Sequence, residues 1–502
     1  MDVIRPGTGV QGRRPGFIRA KGETAMELDL VVSNCWLVDP KNGINGRYDI
    51  GIARGKVVTV EPCLDDMPRR GSLDAAGRLV IPGMIDSHAH IGGSALALRE
   101  MARAGVTTGV DYGAYRKLIG ALPNAGSGMC VAGLQTIGPW VETQPTLNEL
   151  ETMVDQVTSE GALGIKIMGG HSPSTPSATA RMIQAANNRK AYVGYHVGTT
   201  ESSSNLLGLR ETFELAGRNR LHIAHMNAYL RGMVRPPLEE NIEALERLAA
   251  AYWMVSETHL GPRNGTGGAM DASGMPRDWV TRNCLRMRGY ELSTAGMEKA
   301  FLDGYIAVNI EKDDRMVQLT GRDGLEVWQQ RETRVGVSFP VNLRSTALIC
   351  ATARVRRAGG ATDFVVDAIS TDGGTWRNYL AQNGLALVRF GSLTIEEFVK
   401  RVSWIPATMY GMLSKGHLAA GADADISILD FERLSAYATI VGGEVIMLDS
   451  AVIGRGATVV CTVRGKAYLE ERGLRTQVVD IERSLFWTKG DHDPGPGVIE
   501  IS

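Results

Sequence analysis

The chain has 502 residues, of which 44% are hydrophobic and 22% charged, and a formal net charge of -1. That is longer than one typical domain and ordinary in composition for a globular protein that buries a large core. So balanced a charge offers no electrostatic basis for binding nucleic acid or an anionic membrane surface, and no apolar run approaches the ~18 residues that span a bilayer.

Residues 1–26 contain several arginines, glycines and prolines but no apolar stretch. They do not read as a secretory signal, and we expect a disordered leader or an over-extended start ahead of Met26. "LDLVVSNCWLVDP" and "YDIGIARGKVVTVEP" then alternate as strands do, with Asn42, Gly43, Asn45 and Gly46 supplying turn chemistry between them. The alternation returns late in the chain in "ADISILD", "ATIVGGEVIML" and "ATVVCTVRGKAYL". We therefore expect a composite β-sandwich built from residues 27–80 and 415–475, followed by a C-terminal tail over 476–502.

Between the two halves, eight short apolar runs alternate with helical patterns. In order they are the run ending at His90, "GVTTGVDYGA", "CVAGLQTIG", "GIKIMGG", "AYVGYHVG", "LHIAHMNA", "WMVSETHL" and "FVVDAISTDGG". Eight such units predict an α/β fold, a (β/α)8 TIM-type barrel over 81–414, with its chemistry at the C-terminal ends of the strands. The interval of about 261–363 is far longer than a barrel loop needs. It reads as an insertion, serving as a lid or a subunit contact.

Residues that bind metals sit at the predicted strand ends. In "IPGMIDSHAH", His88 and His90 are two apart and share one face of a strand. Lys166 follows in the fourth run, His196 in the fifth, His225 in the sixth and Asp372 in the eighth. His222, three before His225, is expected to face the opposite side of the sheet and to be packed. The six cysteines (35, 63, 130, 284, 350 and 461) are scattered without a C-x-x-C pair. They fit free, mostly buried thiols and a cytoplasmic location.

This series, with "PGMIDSHAH", "STDGG" and "KGHLAAGADADISILD", resembles the amidohydrolase superfamily, in particular its hydantoinase and dihydroorotase branch. The resemblance implies two divalent ions, Zn²⁺ first among candidates, with His88, His90 and Asp372 on one and His196 and His225 on the other. It also implies that Lys166 reacts with CO₂ to form a bridging carbamate. The expected reaction is attack of a metal-bridged hydroxide on a cyclic amide or imide, such as a hydantoin or dihydropyrimidine, with Asp372 as the proton shuttle. Two alternatives stay open: an N-acyl-D-amino-acid deacylase, and a deaminase that uses Glu201. The deacylases typically carry a bridging cysteine at the end of the second strand, where this chain has Asp111 and Tyr112. His171, Glu201, Asn227 and His259, together with Asn205, Glu257 and Arg263, are candidate substrate contacts. We expect a small-molecule substrate and a homo-oligomer, with neither nucleic acid nor membrane as partner.

Overall fold

The computed structural model describes residues 26–313 and 315–501, so the expected leader lies outside the described residues apart from Met26. Its centre is a parallel barrel of eight strands: β1 (Met84–Ala89), β2 (Val106–Gly113), β3 (Cys130–Thr136), β4 (Gly164–Met168), β5 (Tyr192–His196), β6 (His222–Ile223), β7 (Val255–His259) and β8 (Ala368–Ser370). Each pairs in parallel with the next. These are the eight runs of the sequence. Strands covered on both faces read as continuous apolar stretches, and every residue of β1, β5, β7 and β8 is buried.

The ring closes between β8 and β1, where the Asp372 N–H donates to the His88 carbonyl at 3.0 Å and the His90 N–H to that of Gly373 at 2.5 Å. Asp86 reinforces the closure: its buried carboxylate accepts the Thr371 hydroxyl and the N–H groups of Thr371 and His88. Helices return the chain between strands and start at clear caps. Thr146 and Glu149 form a reciprocal capping box for Leu147–Ser159, and Thr175 caps Pro176–Asn188.

The two ends of the chain meet in one nine-stranded, mostly antiparallel sheet. Ile426–Asp430 pairs with Leu79–Pro82, and that strand pairs with Leu28–Asp39. The sheet surrounds its own core, which includes Val32, Leu37, Ile50, Ile52, Ile428 and Ile440.

Three expected boundaries are corrected. Thr458–Cys461 does not join this sheet but lies parallel to the start of β3, pairing Thr458 with Cys130 and Val459 with Val131. β3 meets β4 only from Leu134 onward, so the edge at Cys130 and Val131 needs a partner; alternation in sequence cannot say which sheet a strand will enter. The tail is tied to the rest of the molecule, and its first strand begins at Arg475. Arg475–Val478 pairs with Thr458–Cys461, Gly497–Glu500 pairs with Arg354–Arg357, and Lys489 Nζ sits 2.6 Å from both carboxylate oxygens of Asp367. The insertion is also narrower than expected. Residues 264–339 form a four-stranded sheet with three helices around Phe301, Trp328 and Phe339, whereas Arg344–Thr352 already packs on the barrel as one of its helices.

Lys489 is the only side chain that neutralises Asp367 among the described ion pairs. Lys489→Ala strands a largely buried carboxylate, a loss of about 1–3 kcal/mol or more, and a thermal melt should show a lower midpoint. An unchanged midpoint would mean that the tail adds nothing to the barrel.

Candidate metal centre

The site is assembled from strand ends that point into the barrel mouth. His88, on β1, donates its Nδ1–H to Glu257 Oε1 on β7 at 2.7 Å. This leaves Nε2 facing Asp372 Oδ1 at 3.5 Å, without a hydrogen bond. Burial holds the His88 pKa well below the imidazole range, so the ring is neutral and its free nitrogen is a donor to metal. The side chain of His90 is 43% exposed and places Nε2 2.9 Å from the same Asp372 oxygen.

Asp372 follows β8 in a left-handed turn with φ 50°. Its second oxygen accepts Arg377 Nη1 at 2.8 Å. Burial alone would raise its pKa, but Arg377 and the neighbouring histidines hold the carboxyl well below the usual range. One atom each of His88, His225 and Asp372 lie within 4.8 Å of one another.

His225 corrects the strand reading. β6 ends at Ile223, and His225 takes a left-handed backbone with φ 31° that starts a short 3-10 turn. Alternation therefore stops before it, and His222 and His225 do not face opposite sides. His222 is packed below the centre, where its Nδ1 meets the hydroxyls of Tyr112 and Tyr192. The His225 ring stands 5.1 Å from that of His88 and 4.5 Å from that of His196, so it lies between the two expected ligand groups rather than within the second. His196 accepts or donates to Ser204 Oγ at 3.1 Å. Its approach requires Gly170, where a Cβ would sit 2.0 Å from His196 Nε2.

Lys166 is 1% exposed on β4, with Nζ 4.3 Å over the Tyr112 ring and no hydrogen bond. Burial lowers its pKa to about 7. Buried polar atoms normally find partners. Here His88 Nε2, His225 Nδ1 and Lys166 Nζ all lack one, and this donor set fits divalent metal better than it fits an apolar core.

The flanking candidates divide. His171 bonds Asp278 of the insertion at 3.0 Å and stands 4.7 Å, ring to ring, from His196. Asn227 and His259 are buried beside the centre, with Asn227 Oδ1 accepting the Thr258 hydroxyl and the His259 N–H. Glu201 is not brought in: it is exposed in the turn after β5. Asn205 caps helix Leu206–Ala216 instead of facing the site. Asp111, near the end of β2, accepts the N–H groups of Ile91, Gly92 and Ala114 and so clasps loops. Sequence reasoning missed Arg377, five residues past Asp372, and the orienting role of Glu257. Glu257 had a legible signal, a lone acid in an otherwise uncharged strand; Arg377 had none.

No family model matches the chain. It is 23% identical over 459 residues to an N-acyl-D-glutamate deacylase of Alcaligenes xylosoxydans xylosoxydans, across 82% of this chain and 89% of that protein. A solved D-aminoacylase with a binuclear metal centre superposes with a TM-score of 0.62 at 16% identity, over 86% of this chain and 99% of its own. A solved D-hydantoinase superposes with a TM-score of 0.54 at 16% identity, over 86% and 98%. These likenesses extend over more than four fifths of the chain: it shares the fold of the solved D-aminoacylase and D-hydantoinase and is similar in sequence to an N-acyl-D-glutamate deacylase.

Proposed function

We propose that the chain hydrolyses the C–N bond of a cyclic amide or imide at a binuclear metal centre. The observation that carries this reading is Lys166: a buried amine without a hydrogen-bond partner, among histidines, whose pKa of about 7 leaves a substantial share of it neutral near neutral pH. A neutral amine adds CO₂ and releases a proton, giving a carbamate that can join two cations. His88, His90, His196, His225, Asp372 and that carbamate would hold two divalent ions, Zn²⁺ in this reading. Such ions, when bound, supply Lewis acidity and an easily ionised water.

The chain's own groups do the rest. Glu257 fixes the His88 tautomer, so that Nε2 and not Nδ1 is offered. Asp372 Oδ1 faces the mouth beside His90 and is placed to take a proton and hand it to the leaving nitrogen. Tyr112 stacks on His88 at 3.9 Å and keeps bulk water from beneath it. A second reading, hydrolysis of an N-acyl-D-amino acid, is favoured by the likeness to a deacylase over 82% of the chain and by the higher TM-score of the D-aminoacylase. Deamination loses support, because the glutamate it would use, Glu201, lies exposed.

Metal analysis of active protein should find close to two ions per chain, and Lys166→Ala should lose most metal and turnover. Normal turnover in that variant would sink the carbamate. At fixed dissolved CO₂, reactivation of stripped protein should be about tenfold faster at pH 8 than at pH 6, because the reactive neutral amine exists above pH 7 and is lost below it. A flat profile removes Lys166 from the step. Asp372→Asn should fold and turn over ~10²–10⁴-fold more slowly; a smaller loss moves the shuttle elsewhere. Glu257→Gln should weaken metal binding by about 10–100-fold with the fold intact, read by competition with a chelator. In ¹⁸O-labelled water the label should enter a new carboxylate. Ammonia with a labelled ring carbonyl would identify a deaminase instead.

A further inference from the structure

Below the metal centre lies a polar cluster that the proposed reaction does not use. Tyr112 on β2, Tyr192 on β5, His222 on β6 and Tyr410 are all fully buried. The hydroxyls of Tyr112 and Tyr192 both reach His222 Nδ1, and that of Tyr410 donates to the Ser87 carbonyl at 2.7 Å. An apolar plug would fill the same space with no polar atoms to satisfy. Hydrogen bonds in a core fix an orientation that apolar packing leaves freer.

What the cluster orients is the Tyr112 ring. With the hydroxyl tied to His222, the ring itself meets the candidate ligands. His88 stacks on it at 3.9 Å, and Lys166 Nζ lies 4.3 Å from its centre. Gly194 on β5 makes room for it, since a Cβ there would stand 2.6 Å from the ring. Lys166 needs such a support, because its side chain is rotamer-rich and its amine has no hydrogen bond to hold it. A ring face attracts an amine or ammonium weakly and leaves no strong hydrogen bond to break when the nitrogen reacts.

We propose that Tyr112 is a positioning residue: tethered to His222, its ring seats Lys166 where the amine can take up CO₂ and the product can bridge two ions. This rests on the carbamate reading and adds to it the group that places the bridge. Its consequences can be measured without turnover.

Three variants would be compared with wild type after incubation with zinc and ¹³C-bicarbonate, the carbamate being read by ¹³C NMR and zinc affinity by competition with a chelator. Tyr112→Leu removes the ring and should lose the carbamate signal, with zinc bound about 10–100-fold more weakly. Tyr112→Phe keeps the ring but cuts the tether. It should lose part of the signal and bind zinc about 2–10-fold more weakly, the range of one hydrogen bond. Tyr192 shares the His222 nitrogen but stacks on Tyr410 and Phe486. Tyr192→Phe should therefore lower the thermal midpoint about as much as Tyr112→Phe, yet keep signal and affinity. Should Tyr112→Leu fold poorly, the two phenylalanine variants decide. Equal signal and affinity in those two would overturn the proposal, because the cluster would then act on stability alone. A wild type that binds zinc and shows no carbamate overturns the carbamate reading itself, and this proposal with it.

Discussion

One carboxylate, buried where four strands converge, sets the geometry of the barrel mouth. Glu257 stands on β7 and reaches His88 on β1, the His225 N–H beyond β6 and the Ser370 hydroxyl on β8. Burial pushes its pKa up to about 8, so placing an acid there costs free energy that its three donors offset. What is gained is orientation. The same oxygen that fixes the tautomer of His88 also holds the left-handed backbone at His225, so two rings from different strands are aligned by a single atom.

A complementary constraint acts from the opposite side. Asp372 is held by Arg377 on one oxygen and by His90 on the other. Arg377 itself adopts φ 69°, and Asp372 φ 50°. Left-handed backbone is costly for side chains with a Cβ, and two such residues lie five apart in the loop that leaves β8. The barrel closure provides the support, since the Asp372 N–H is part of the β8–β1 seam. Candidate ligand and seam are one piece of backbone, so the strained conformation at Asp372 is braced where it occurs.

The barrel was legible because buried parallel strands leave continuous apolar runs, and the gathering of candidate ligands at its mouth because residues of metal-binding type sit at the ends of those runs. His88 and His90 follow directly from two-residue periodicity. His225 did not, because β6 is only two residues long and a backbone reversal replaces alternation. Arg377 left no trace, since an arginine on a loop looks the same whether it meets solvent or a buried carboxylate. Glu201 misled for the mirror-image reason: a carboxylate close to His196 in sequence points away in space. The late strands were visible as strands, yet their sheet depended on an unpaired edge of β3 that no local pattern records.

That edge has a consequence for how the protein is made. The wall of the barrel beside Cys130 is finished by residues 458–461, themselves paired with 475–478. More than three hundred residues must be synthesised between the strand that needs a neighbour and the strand that supplies it. An emerging chain can therefore close the β8–β1 seam and still present an open β3 edge to solvent or to a chaperone. Completion of the fold waits on the last tenth of the chain, so a ribosome that stalls there releases a barrel with its metal-binding face assembled and its side wall exposed to pairing with other chains.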